Sequence, residues 1–141
     1  MANAGVPAAA NGGGGKAVCD GMAVNAPTGA AKKAIQFACA QLGDPYVWAA
    51  AGPNAYDCSG LVMRSYQAAG ISLPHSSAMQ ASYGHRVSIS ALQPGDLVFF
   101  HSPISHVGIY LGNGLMVHAP HSGDVVRVAS LWTTPSAAVR F

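Results

Sequence analysis

From Ser105 to Pro120 the chain alternates apolar and polar side chains on either side of Gly112-Asn113-Gly114. Runs over 106–111 and 115–119 read as two strands joined at that loop. A two-residue Asn113-Gly114 loop would place Ile109 opposite His118 and mix an apolar row with a polar one. A three-residue loop, with Gly114 in the left-handed conformation, instead pairs Leu111 with Leu115, Ile109 with Val117 and Val107 with Ala119. The alternation selects this second register, because it alone gives one clean apolar face. The other face then carries His106, Gly108, Tyr110, Met116 and His118, with Gly108 opposite His118. Two imidazoles become diagonal neighbours, and glycine between them leaves room for a ring or a substrate backbone.

A thiol stands upstream of this pair. Asp57-Cys58-Ser59-Gly60 leads into 61–69, where apolar residues recur at helical spacing and Gly70 supplies a stop. Cys58 thus falls in a helix's first turn, where unpaired N–H groups and the helix dipole favour a thiolate. A cysteine, a base and a group that orients the base are the parts of a nucleophilic hydrolase. Taken singly, such a cysteine is more often a buried thiol, and a strand histidine is more often satisfied by a carbonyl. The shared face of His106 and His118 shifts the reading toward function.

At 141 residues, half of them hydrophobic and 9% charged, the chain is long enough for one domain with its own core and too apolar for a disordered one. No apolar run is long enough to span a bilayer. The formal charge of +2, without a basic cluster, gives no case for nucleic acid. Thr28 caps an expected helix in which Ala31, Ala34, Ile35, Ala38, Cys39 and Leu42 repeat at three and four, and Gly43 with Pro45 ends it. Strand-like runs follow over 96–100, 106–111, 115–119 and 125–128, with a last one near 139–141. Helices first and strands later argue for an α+β fold with the helices packed on an antiparallel sheet. Residues 1–28, rich in Ala, Gly and Asn, are expected to form a flexible arm, long enough to lie across a cleft, ahead of a catalytic domain over 29–141. The start lacks the basic end and apolar stretch of a signal peptide. Three cysteines are too few for a disulfide scaffold; Cys19 and Cys39 can pair, leaving Cys58 free.

Six short segments, in order, resemble the NlpC family of bacterial cell-wall peptidases, also called the p-sixty family, in its secreted actinobacterial type: Pro45-Tyr46-Val47-Trp48, Asp57-Cys58-Ser59-Gly60, Leu73-Pro74-His75-Ser76-Ser77 with Gln80, 94–100, His106-Val107-Gly108-Ile109-Tyr110 and His118-Ala119-Pro120. The resemblance implies a reduced papain-like fold in which the nucleophile's helix packs on the sheet bearing the base. It implies a cysteine peptidase that needs no cofactor and cuts peptidoglycan stem peptides between D-glutamate and diaminopimelate. Cys58 matches the nucleophile, His106 the base, His118 the orienting residue, and Tyr46 the tyrosine whose hydroxyl lies near the thiol. The backbone N–H of Cys58 or Ser59 suits the oxyanion. Asp57, Trp48, Ser77 and Gln80 are candidates for substrate binding. A secreted monomer acting at the cell wall is the implied setting. The sequence departs from the family at Ala49-Ala50-Ala51, where glycines are usual, and at His75, where many relatives carry arginine.

Two other readings compete. Among the six histidines, His101, His106, His118 and His121 offer a metal set, but carboxylates near them are scarce and no His-Glu-x-x-His segment is present. A silent module binding cell-wall glycopeptide, or a blocked cleft, is the second. It has no need of the thiol and base retained here. His85, His101 and His121 are expected at the surface without a role.

Overall fold

The computed structural model describes residues 13–141. Four helices come before the first strand: α1 (Gly13–Ala23), α2 (Gly29–Ala40), α3 (Cys58–Gln67) and the single turn α4 (Ser77–Gln80). Six strands follow: β1 (His85–Arg86), β2 (Leu97–Phe100), β3 (His106–Gly112), β4 (Leu115–His118), β5 (Arg127–Ser130) and β6 (Ala137–Arg140). They form one sheet in the order β1-β6-β2-β3-β4-β5, with every neighbouring pair antiparallel. This is the expected α+β architecture.

Local chemistry sets the helix starts. The Thr28 hydroxyl accepts the Ala31 N–H at 3.1 Å, and Ala31, Ala34, Ile35, Ala38 and Cys39 form the buried stripe of α2. In α3 the stripe is Leu61, Val62, Ser65 and Tyr66. These stripes meet Leu97, Phe99, Val107, Ile109, Leu111, Val117 and Val128 in one continuous core on one face of the sheet. Tyr66 is buried there and donates its hydroxyl to the Gly95 carbonyl, so its polar end is satisfied. The other face has a smaller apolar cluster of Val98, Phe100, Met116 and Ala138.

The flexible arm expected over residues 1–28 is corrected in its second half: residues 13–23 are helical, while residues 1–12 lie outside the described residues. Small side chains, which look too weak to order a segment, here let α1 lie close against α2, with Cys19 and Ala23 fully buried and Met22 packed beside them. A disulfide joins Cys19 to Cys39 on α2, their Cα atoms 5.6 Å apart. In the chain-entropy account, closing a loop of this length stabilises the fold by about 3 kcal/mol. Cys19→Ala/Cys39→Ala is therefore expected to lower the thermal midpoint by several degrees. An unchanged midpoint would show that α1 is held by packing alone.

The central hairpin keeps the register inferred from alternation but reaches it by another loop. Ile109 pairs with Val117 and Tyr110 with Met116. Gly112, not Leu111, stands opposite Leu115, leaving Leu111 as a bulge. Asn113 and Gly114, both at positive φ (53° and 76°), make the two-residue turn that Asn-Gly favours, and the bulge absorbs the extra residue. Leu111 stays fully buried in the larger core. The strand expected over 125–128 begins two residues later. The cause is that the Val126 N–H bonds to the Asp44 carbonyl and the Gly43 N–H to the Val126 carbonyl, so this stretch pairs with the loop after α2 before it joins β4.

Candidate active site

Asp57 builds the start of α3. Its carboxylate accepts the Gly60 N–H at 2.6 Å, the Ala49 N–H at 3.0 Å and the Ser59 hydroxyl at 3.4 Å, and lies 2.8 Å from His75 Nε2. A Cβ on Gly60 would run into the Ala50 carbonyl oxygen, so glycine is what lets the Ala49–Ala51 segment close over the helix's first turn. Gln80, fully buried, donates to the carbonyls of Ser59 (3.0 Å) and Pro74 (2.8 Å). It anchors the turn from below, and its expected place in contact with substrate is corrected accordingly. Asp57, with its carboxylate engaged by four neighbours, is likewise a scaffold of the site.

Cys58 therefore emerges from a rigid turn, half-buried and unpaired. α3 packs against β3, and the backbone N–H groups of Val107, of Ser59 and of Cys58 itself favour charge on the Cys58 sulfur. Val107 is the residue after His106. Burial, followed by the Asp57 charge, nevertheless pushes the thiol up, and this outweighs the three N–H groups. The packed turn thus works against the charge that helix position alone would favour.

His106 opens β3 and pairs across the sheet with Phe100, on the face that also holds Met116. Continuing the hairpin register sets Gly108 opposite His118, and a Cβ on Gly108 would crowd the Met116 sulfur at 2.8 Å and His118 Cβ at 3.3 Å. With no side chain between them, His106 Nε2 and His118 Nδ1 come within 2.8 Å, their rings inclined at 73°. Both imidazoles are buried. Burial, then the nearby His101 and His121, lowers His106 to about 4. Burial, then His106, lowers His118 to about 3. Both rings are neutral at pH 7, so one must donate to the other. When His106 Nε2–H donates, His106 Nδ1 is left bare to accept a proton.

The remaining expectations separate. Tyr46 packs beside Cys58, close enough that the cysteine's charge, after burial, pushes its phenol up. Trp48 is 80% exposed. Ser77 opens α4, whose cap is its neighbour Ser76. Two groups were given no place in the site from sequence. His75, noted only as a departure from the family, partners Asp57. Trp132 lies against the dyad, its indole stacked on Phe100 at 4.4 Å and centred 5.9 Å from His106 and 6.2 Å from His118; no motif marks it. His101 and His121 are exposed, as expected, but with Trp132 they line a pocket over the dyad. Among the described residues no three His, Cys, Asp or Glu side chains are placed to hold one metal ion.

Comparison with known proteins gives the chain's family. Residues 43–139 match the NlpC/P60 family. A probable endopeptidase of Mycobacterium tuberculosis strain H37Rv is 53% identical over 97 residues, 69% of this chain and 25% of that protein. A probable endopeptidase of Corynebacterium glutamicum ATCC 13032 is 43% identical over 128 residues, 89% of this chain and 61% of that protein. The chain thus spans from a quarter to under two thirds of the length of these curated relatives. The crystal structure of the NlpC/p60 domain of the peptidoglycan hydrolase SagA superposes with a TM-score of 0.74 at 36% identity, covering 79% of this chain and 98% of that one. On the extent of this match, and with a free cysteine opening a helix packed on the sheet that bears the histidine pair, the chain belongs to the NlpC/P60 family of cysteine peptidases.

Proposed function

We propose that this domain hydrolyses peptidoglycan stem peptides as a D,L-endopeptidase, cutting between D-glutamate and diaminopimelate, outside the cell at the wall. The observation that carries this reading is the 2.8 Å contact between His106 Nε2 and His118 Nδ1, one residue along β3 from Val107, whose N–H favours charge on the Cys58 sulfur. Cys58 is the nucleophile, His106 the base and His118 the orienting residue.

In this scheme the Cys58 thiol gives its proton to His106 Nδ1 as sulfur attacks the scissile carbonyl carbon. Burial raises the thiol and lowers the imidazole, so the thiolate has to be generated by handing this proton to His106. The N–H groups of Cys58 and Ser59, at the positive end of α3, face the developing oxyanion. The imidazolium then protonates the departing amine, leaving a thioester on Cys58. Water attacks the thioester with His106 again as base, releasing the carboxylate and restoring the thiol. Throughout, His118 Nδ1 accepts the His106 Nε2–H and keeps the ring from rotating.

Incubation with purified peptidoglycan, followed by mass spectrometry, tests the proposal. Fragments with a free diaminopimelate amine and a matching D-glutamate terminus are expected. Fragments cut elsewhere would reassign the bond, and intact peptides would overturn the enzymatic reading of the domain.

A further inference from the structure

We propose that His75 is a positioning residue for the nucleophile: its ring holds the Asp57 carboxylate at the start of α3 and, on taking up a second proton, offsets the negative charge beside the Cys58 sulfur. This rests on Cys58 as the reacting thiol proposed above, whatever bond it cuts. Asp57 caps α3 by accepting the Gly60 N–H, and the same oxygen, Oδ1, lies 2.8 Å from His75 Nε2. A carboxylate only accepts, so His75 Nε2 carries the hydrogen of this bond and Nδ1 is the atom that a second proton reaches. With Nδ1 bare, the ring is a neutral donor and the carboxylate keeps its full charge. With Nδ1 protonated, the two side chains form an ion pair.

That difference bears on the sulfur, because after burial the Asp57 charge is what pushes the Cys58 thiol up. The other partners of the carboxylate, the N–H groups of Ala49 and Gly60 and the Ser59 hydroxyl, are uncharged. Among the described residues His75 is thus the one partner of Asp57 whose charge can change. The surrounding elements bring no competing charge. Arg64, the basic residue of α3, is bonded to the Ala51 carbonyl and to Gln67, and α4 carries no titratable side chain. Tyr46, beside Cys58, is a phenol that burial pushes up, and burial lowers His106 on β3 to about 4. The His75 side chain is 29% exposed, so it exchanges protons with solvent. Histidine is the side-chain type whose charge changes between about pH 5 and about pH 8; an arginine here would be a fixed cation.

The test is the rate at which iodoacetamide alkylates the folded protein from about pH 8 to about pH 5, in the parent, His75→Gln and His75→Arg. Cys19 and Cys39 are bridged, so Cys58 is the one free thiol of the chain, and an uncharged reagent reads its thiolate fraction. Glutamine keeps a donor toward Asp57 without charge, and arginine keeps one with permanent charge. The parent should follow His75→Gln at the alkaline end and exceed it at the acid end by about threefold, the size of a partly exposed charge interaction, drawing level there with His75→Arg. His85, His101 and His121 are common to all three proteins, so the ratio isolates position 75. A ratio of parent to His75→Gln that stays constant with pH would leave His75 a structural donor and overturn the proposal, whether or not the arginine variant folds. Intact stem peptides together with a ratio that rises toward acid would overturn the hydrolase reading and leave the role of His75 standing.

Discussion

Cys58→Ala and Cys58→Ser are expected to cut stem peptides at least about a thousandfold more slowly than the parent while remaining folded, because either change removes the attacking atom. The serine variant is the more instructive. Its hydroxyl replaces the sulfur in the same turn, but it is a poor nucleophile without a base matched to it. Stability should change little. Cys58 is half-buried, and the contacts that hold its turn belong to Asp57, Gly60 and Gln80; loss of one sulfur costs on the order of 1 kcal/mol. Steady-state hydrolysis and a thermal melt on the same samples check both halves. Undiminished activity in either variant would return the chemistry to a metal reading built on His101, His106, His118 and His121, and a chelator would then abolish it.

Replacing the two histidines should have unequal consequences. His106→Ala removes the proton acceptor and should lower kcat/KM by on the order of 10²–10⁴. His118→Ala removes one neutral hydrogen bond, worth about 0.5–1.5 kcal/mol, and so is expected to cost on the order of tenfold; His118→Gln should be milder, since its amide oxygen can accept the same N–H. The pH profile carries the sharper test. From sequence, activity would be expected to fall through about 6.5, the unperturbed histidine value. Burial lowers His106 to about 4 and His118 to about 3, so the acid limb of kcat/KM should lie near pH 4. Stability moves earlier. Between 6.5 and about 4 the unfolded chain binds protons that the folded rings refuse, so stability is full above 6.5 and declines as pH falls through that window. The melting temperature should therefore drop before catalysis is titrated. A kcat/KM limb at 6.5, or His118→Ala being more damaging than His106→Ala, would refute the assigned roles.

The parts legible in the sequence were those governed by periodicity and by side chains acting on their own neighbourhood. Alternation around Gly112-Asn113-Gly114 fixed which residues share a face with His106, because a slip of one residue would have exposed Ile109 and Val117. It did not determine the loop, since a bulge at Leu111 satisfies both the Asn-Gly turn and the register. The Thr28 cap and the α2 stripe were local and were read correctly. Burial is collective, and this is why a thiol placed at a helix start was expected to ionise although the packed turn around it opposes the charge. Trp132 reaches the dyad only because the chain after β5 returns to Phe100, 32 positions earlier in sequence, and no local pattern announces such a contact. Composition misjudged α1 because alanine and glycine bury little area yet allow helices to approach closely. The six-strand order was also beyond reach, since β1 is two exposed residues whose only signal is its partner, β6.

The bridge between Cys19 and Cys39 has a chemical consequence away from α1. It consumes the chain's other two cysteines, so Cys58 has no second thiol in this chain with which to form an internal disulfide. An oxidant that converts it to a sulfenic acid leaves a species that only an outside thiol can rescue, and continued exposure carries it to the irreversible sulfinic and sulfonic acids. Burial, which raises the Cys58 thiol, slows the first of these steps, because oxidants, like substrates, react with the thiolate. In an oxidising environment the burial that withholds charge from Cys58 therefore also acts as its protection, and the lifetime of the sulfur becomes a function of how seldom it ionises without substrate in place.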